Sequence, residues 1–425
     1  MRRQLGATAD TLGALRGNAR AVLFTEPFWG VPWSLVSTYA SVYMLALGCS
    51  TTQIGLISSV GLIFATVLSL AGGSITDRLG RRRTTIIFDL ISWSGATLLW
   101  AFSRSFLWFL AAAVVNSFVR IVQTSWTCLM IEDTPVPQRV HIYSWVYLVG
   151  IVAGMVAPVA GLFVQSFGLV PAMRGMYLFA CAMMTGMFIV RNAMVTETQA
   201  GLVKMRESRH APLSDTFADY ARVGGRLLRS PLTLVAFLVS TLVTIQGVLR
   251  NTFFAILLTR GLSFPDASIA VFPAIGAVVT LAVYLLALPS LARRGTAPPL
   301  ILGLGLSTAG GLLLVLCPPG SMLLVTASTV LSAAGGAIVV PYSDTLVANT
   351  VAEADRAKSL SIFYVLLFAL SSPFGYVGGA LFEISDRLPF ALATVVLVAA
   401  AALAASIPRL ERGGARMAPR VPMKD

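Results

Sequence analysis

Arg120 and Arg250 each stand alone in a long uncharged stretch, between residues 105 and 131 and between 231 and 258. A guanidinium keeps its proton in proteins and only donates hydrogen bonds. Its chemistry in such a place is to hold an anion or an acceptor-rich solute, not to catalyse proton transfer by itself. Asn116, Arg120, Gln123, Thr124 and Thr127 follow one another at i, i+4, i+7, i+8 and i+11, one face of a helix. That face reads as a cavity wall, and the alternative is a hydrogen-bonded seam between helices. Gln246, Arg250 and Asn251 form a second polar group. A substrate with negative charge or many hydroxyls would be served by both arginines facing one cavity. Trp33, with Trp29, Tyr39 and Tyr43 nearby, could stack on a sugar or a drug-like ring. Glu26, Asp89 and Asp344 are the carboxylates inside apolar runs, so they are the candidates to carry a proton, each with a structural salt bridge as its alternative.

These residues need apolar elements around them, and composition supplies little else. Of 425 residues, 56% are hydrophobic and 12% charged, against about 25% charged in soluble domains. Lipid contact along most of the chain satisfies that balance. Apolar runs long enough to cross a bilayer lie near 22–47, 54–76, 84–103, 105–131, 141–166 and 171–190. Six more lie near 231–258, 266–289, 298–317, 321–349, 357–381 and 387–407. The N-terminus lacks the pattern of a cleaved secretory signal, so the first run is expected to be a retained membrane helix.

Lysine and arginine bias sets the orientation. The tails, the long segment 192–230 and alternate loops hold most of the 31 basic residues, whereas Arg104, Arg174, Arg260 and Arg387 fall on the other side. Both termini are therefore expected in the cytoplasm, in a cell inner membrane. The net charge of +13 reflects this bias, and no nucleic acid is expected. Segment 192–230 separates six runs from six, and its Phe217, Tyr220, Ala221, Gly224 and Leu228 recur at helical spacing. It reads as a linker helix on the cytoplasmic lipid face. The expected units are 1–191, the linker 192–230, and 231–425. Gln138-Arg139 with Pro158 and Gly161 is echoed by Asp355-Arg356 with Pro373, Gly378 and Gly379, a weak internal repeat of the kind transporters use.

Between the second and third runs the chain reads Gly73-Ser-Ile-Thr-Asp77-Arg78-Leu-Gly80-Arg81-Arg82-Arg83. This resembles the G-x-x-x-D-R-x-G-R-R/K loop signature of the major facilitator superfamily. Gly73 would let two helices approach, and Gly80 would permit a tight turn. Asp77 and Arg81 are expected to join Glu132 or Asp133 in a charge cluster that is made or broken as two halves rock. The second-half counterpart, Arg293-Arg294-Gly295, lacks the acid. Arg120-Ile-Val-Gln123 is similar to the R-x-x-Q element of proton-coupled members, with Thr124 in place of glycine. Gly150-x-x-x-Gly154-x-x-x-Pro158-x-x-Gly161 is similar to the helix-five motif of antiporters, with Ala157 in place of glycine.

The resemblance implies an all-α integral membrane protein, with twelve transmembrane helices in two six-helix pseudo-symmetric bundles. It implies a secondary active transporter of a small organic solute, working by alternating access. Proton-coupled export, resembling the drug/proton antiporter branch, is the preferred reading, and uptake of a sugar or organic acid is the alternative. Arg120 is expected to face the cavity with Glu26 as its acidic neighbour, or Asp344 as second choice. A membrane enzyme or a non-transporting polytopic protein is the alternative of another class. No H-E-x-x-H pattern, nucleotide-binding G-x-x-x-x-G-K-[ST] loop or C-x-x-C pair occurs, and the histidines, His141 and His210, lie in polar segments. Neither enzyme chemistry, a metal nor a cofactor is expected. Partners are expected to be the solute, protons and the lipid bilayer, and the chain is expected to act as a monomer.

Overall fold

The computed structural model describes residues 16–207, 230–350 and 356–410. The face of Phe217, Tyr220 and Leu228 in the expected linker helix lies outside the described residues. Eleven helices among those described are long and apolar enough to cross a membrane. The remaining expected span, α1, is helical in three pieces, Gly17–Thr25, Pro27–Ser37 and Ala40–Ala46. Pro27 has no N–H to donate, and Tyr39 bonds back only three residues to Val36, so the helix is interrupted at both points.

The first half continues with α2 (Thr51–Leu79), α3 (Arg81–Phe102), α4 (Phe106–Ile131), α5 (His141–Phe167) and α6 (Leu169–Met194). The second half is α7 (Pro231–Gly261), α8 (Asp266–Arg294), α9 (Ala297–Val315), α10 (Met322–Ala348), α11 (Ile362–Ile384) and α12 (Leu388–Leu410). A short helix, Gln199–Glu207, follows α6. The start of α2 is set by a capping box: Ser50 Oγ accepts from Gln53 N while Gln53 Oε1 accepts from Ser50 N, satisfying two otherwise orphaned amides. Its end is set by Gly80, whose φ of 85° lies in the region side chains disfavour.

Breaks recur where the repeat was seen. In α5 Pro158 cannot donate to Gly154, and the amides of Met155 and Val156 reach back only three residues. In α11 Pro373 interrupts the helix after Ser371. The far half of each broken helix then packs on the other bundle. An added Cβ on Gly55 of α2 would run into the backbone of Gly375 on α11, and one on Gly161 of α5 would run into Ala267 of α8. Hydrogen bonds close the same face, opposite the signature loop. Tyr39 Oη donates to Asp266 O at 2.9 Å, and Tyr376 N to Ser59 Oγ at 2.8 Å. Thr51 Oγ1 donates to Gly379 O at 3.2 Å.

Candidate functional site

Two cavities meet at Trp33, which lines both. One, of about 590 Å³, is walled by α1, α7, α8 and α10 and includes Arg250 and Asn251. The other, of about 520 Å³, is walled by the first half and includes Glu26, Asp89, Arg120, Gln123 and Thr127. Each is large enough for a drug-sized molecule. The first is lined by Thr38, Ala40 and Ile269, close in sequence to the Tyr39–Asp266 hydrogen bond, and the second reaches Asp89 and Arg191, near the signature-loop ends of α3 and α6. Trp33 belongs to an aromatic wall of the second of these cavities: Trp93 stands edge-on to Trp29 and Trp33, with ring centroids 5.1 and 5.0 Å away.

The polar face expected on α4 divides. Phe118 N and Ile121 N bond back three residues, to Val115 O and Phe118 O, so the helix is tightened and rephased between Asn116 and Arg120. Arg120, Gln123 and Thr127 reach the cavity. Asn116 instead donates to Ser92 O at 2.9 Å across the α3–α4 seam, and is not among the cavity residues. Gln246 likewise lines a narrow recess of about 10 Å³ behind Arg250. Asp344 lies against the Tyr364 hydroxyl and lines neither of these two cavities.

The expected Arg120–Glu26 pair is not formed. The Arg120 guanidinium lies 4.4 Å from the ring centroid of Phe368 on α11, and its buried Nε has no hydrogen-bond partner. Glu26 lies deeper than a helix starting near residue 22 would place it. Because α1 begins at Gly17, nine residues precede Glu26, roughly 14 Å of rise. That depth brings it into the field of Arg191 and Asp89. Arg191, which basic-residue counting assigns to the cytoplasmic segment, is 4% exposed and makes a buried ion pair with Asp89. It is a charged residue of the cavity that the loop reading missed. The sequence carries little signal of it: Arg191 is followed at once by Asn192, which reads as the polar end of the run, while the helix continues to Met194.

Arg250 of α7 donates to Ser332 Oγ at 3.3 Å and lies 4.7 Å from the Phe254 ring centroid. No carboxylate lies within ion-pair distance of Arg120 or Arg250 among the described residues. Insertion scales put an arginine at the bilayer centre at about 2.5–3.5 kcal/mol. Within that described set, neither residue has a counter-ion to offset the cost.

The signature loop is a compact charge network. Arg81 donates to Asp77 at 2.9 Å and to Glu132 at 3.0 Å. Burial pushes the Glu132 carboxyl up, but hydrogen bonds from Arg81 and Thr198 outweigh it and hold the group below the usual carboxylate range. Asp133 accepts from Gln199 N, at 3.3 Å. Arg82 Nε donates to Asn192 O at 3.1 Å, and Arg78 is exposed at the rim. Glu197, unremarked in the sequence, caps α3 by accepting from the amides of Arg81 (2.9 Å) and Arg82 (3.0 Å), where a helix N-terminus favours a negative charge. Gly73 has open space around it. The close approach is made by Gly72, where a Cβ would lie 3.2 Å from Thr124 Oγ1 on α4. In the helix-five motif, Gly154 faces Ala277 of α8 and Gly161 faces Ala267, so both glycines line the seam between the halves.

Two broken six-helix bundles around a polar, aromatic cavity define the architecture of a polytopic membrane carrier. The family model of the Major Facilitator Superfamily matches residues 28–327, and the chain belongs to that superfamily. Its structure is similar to that of a point mutant of the nucleoside transporter NupG, with a TM-score of 0.71 and 15% identity, covering 93% of this chain and 100% of that one. A POT family transporter in complex with a thioalcohol-conjugated peptide gives a TM-score of 0.71 at 14% identity, covering 94% and 99%. In sequence, a Danio rerio facilitated glucose transporter (solute carrier family 2, member 10) is 26% identical over 157 residues. That match takes in 36% of this chain and 29% of the relative, so the chain spans less than a third of the curated relative's length.

Proposed function

We propose that this protein is a secondary active transporter that exports a small organic solute by alternating access, driven by protons moving the other way. The observation that carries the reading is the placement of charge. Two cavities that share Trp33 hold one unpaired arginine each, and the first-half cavity also holds a buried group of two carboxylates and one guanidinium. In that group Arg191 can balance only one of Glu26 and Asp89. A second ionised carboxylate in so dry a place is costly, so binding one proton there is the natural way to neutrality. Asp89 holds the ion pair, and Glu26, half-buried and facing the cavity, takes and releases the proton.

The seam across Gly55–Gly375 and Gly161–Ala267 supports a state closed on the face opposite the signature loop, with the cavity approached from the loop side. With the loop side cytoplasmic, as the basic-residue bias implies, this is the inward-facing state of a single chain in a cell membrane. The Arg81–Glu132–Glu197 network ties α2, α3, α4 and the segment after α6 together, so that this half can move as one body. Purified protein in liposomes tests the reading: Glu26→Gln should exchange solute across the membrane but no longer accumulate it against a gradient when a pH difference is imposed. Accumulation unchanged in Glu26→Gln would remove Glu26 from the mechanism. A second reading, facilitated uptake of a sugar, draws on the partial likeness to a facilitated glucose transporter. It requires flux indifferent to pH.

A further inference from the structure

We infer that the transported solute is a small organic anion, held between Arg120 of the first bundle and Arg250 of the second, with its apolar body against the tryptophan wall. The inference rests on the transporter reading and specifies what the cavity accepts. Three observations converge on it. The arginines come from opposite halves and point into cavities that join at Trp33. Neither has a carboxylate partner among the described residues: Arg120 rests on the Phe368 ring and Arg250 on the Phe254 ring and Ser332. Ring faces are weak, exchangeable partners for a guanidinium compared with an oxyanion, which takes two parallel hydrogen bonds.

The balance of charge and of donors points the same way. In the first cavity Glu26 and Asp89 stand against Arg120 and Arg191, and in the second Arg250 has no acid beside it. The joined space therefore carries a surplus of positive charge before any proton binds, and protonation of Glu26 would enlarge it. The orphaned polar atoms lining the space are Arg120 Nε and the indole Nε1 of Trp29, which only donate, and Thr329 Oγ1. Two of these three can only donate, so what they call for from a solute is an acceptor. A cationic solute would meet two unpaired guanidiniums, and the carboxylate outside the Arg191–Asp89 pair, Glu26, lies in the field of Arg191. Since the arginines belong to different bundles, an anion bridging them would favour the closed-around-solute arrangement over the empty open one.

Isothermal titration of the full-length purified protein tests this with one planar body carrying four different groups. The probes are naphthalene-2-carboxylate, naphthalene-2-sulfonate, the neutral carboxamide, and naphthylmethylammonium. The two anions should bind at least tenfold more tightly than the amide, and the ammonium more weakly still. Arg120→Gln and Arg250→Gln should each weaken the anions at least tenfold and leave the amide unchanged. Thermal unfolding of the unliganded variants separates this from a folding defect: removing an unpaired guanidinium should leave the midpoint unchanged or raise it, whereas a structural role would lower it. Amide or ammonium binding as tight as the anions overturns the inference. So does failure of every anion to bind, or anion binding that survives both substitutions. The transporter reading fails separately: anions that bind as described but show no flux in proteoliposomes would sink transport alone. Flux of the amide or ammonium without the anions would sink this inference alone.

Discussion

Arg191 and Arg120 illustrate how differently two buried guanidiniums can be held. Arg191 sits in the last turn of α6 and pairs with Asp89, so its charge is satisfied within the first bundle. Arg120 has a ring for a partner. Removing the acid of the pair should therefore hurt, and removing Glu26 should not. Asp89→Asn leaves Arg191 buried and unpaired, and should destabilise the protein by about 3–5 kcal/mol. Asp89→Asn combined with Arg191→Gln should recover a good part of that loss. Glu26→Gln should change stability by less than about 1 kcal/mol, as its hydrogen-bonding shape is kept. Thermal unfolding in detergent reads all three, and a large loss in Glu26→Gln would assign Glu26 a structural place instead. The arginines, the acids and Trp33 were legible in the sequence because ionisable residues in apolar runs stand out. Their pairing was not. It depended on where α1 begins, on the tightened turn at Phe118 and on how far α6 continues past residue 190, none of which hydropathy resolves.

Helix breaks do the positioning, and glycines set how closely the halves meet. The seam α2–α11 has backbone against backbone at Gly55 and Gly375, so a side chain there cannot be absorbed by a flexible neighbour. Gly55→Val should oppose closure of this face by about 1–3 kcal/mol, the usual cost of overpacking, and shift the resting state toward opening there. Cysteines introduced near Thr38 should then react with a membrane-impermeant thiol reagent at least fivefold faster than in the parent; equal rates would mean the seam does not hold the face shut. At the opposite end Glu132 binds its proton less readily than a free carboxyl. Its contribution is therefore complete above the ordinary glutamate value of about 4.3 and is lost as pH falls through the lowered folded value. Glu132→Gln should cost about 1–2 kcal/mol at neutral pH, and its midpoint should converge on the parent's in acid. A gap that persists in acid would contradict the linkage. The Arg81–Glu132 contact could be anticipated from the loop signature and the end of α4. The cap by Glu197 could not, because nothing in Val195-Thr196-Glu197-Thr198 says that the chain doubles back under α3.

For the whole molecule, two bundles closed at one face are the arrangement that the proposed rocking cycle needs, and in that proposal the charges inside hold the solute and the driving proton. The twelve-run pattern, the loop signature and the repeated proline breaks made this architecture readable from the chain, because each is a local property. The cavity is a relation between distant segments, and so its membership was only partly foreseen: Arg120, Gln123, Thr127, Arg250, Asn251 and Trp33 line it, and Asn116, Gln246 and Asp344 do not. Proton-driven export is the central claim, and the sign of a pH change tests it most directly. Liposomes containing the protein and a pH-sensitive dye would be loaded with naphthalene-2-sulfonate and diluted into solute-free buffer, with the potential clamped by potassium and valinomycin. Export in exchange for protons predicts that the lumen acidifies as solute leaves, and that Glu26→Gln abolishes the acidification yet still exchanges solute when labelled solute is supplied outside. A lumen that turns alkaline would mean symport, and solute efflux with no pH change beyond that of protein-free liposomes would mean that protons do not drive this transporter.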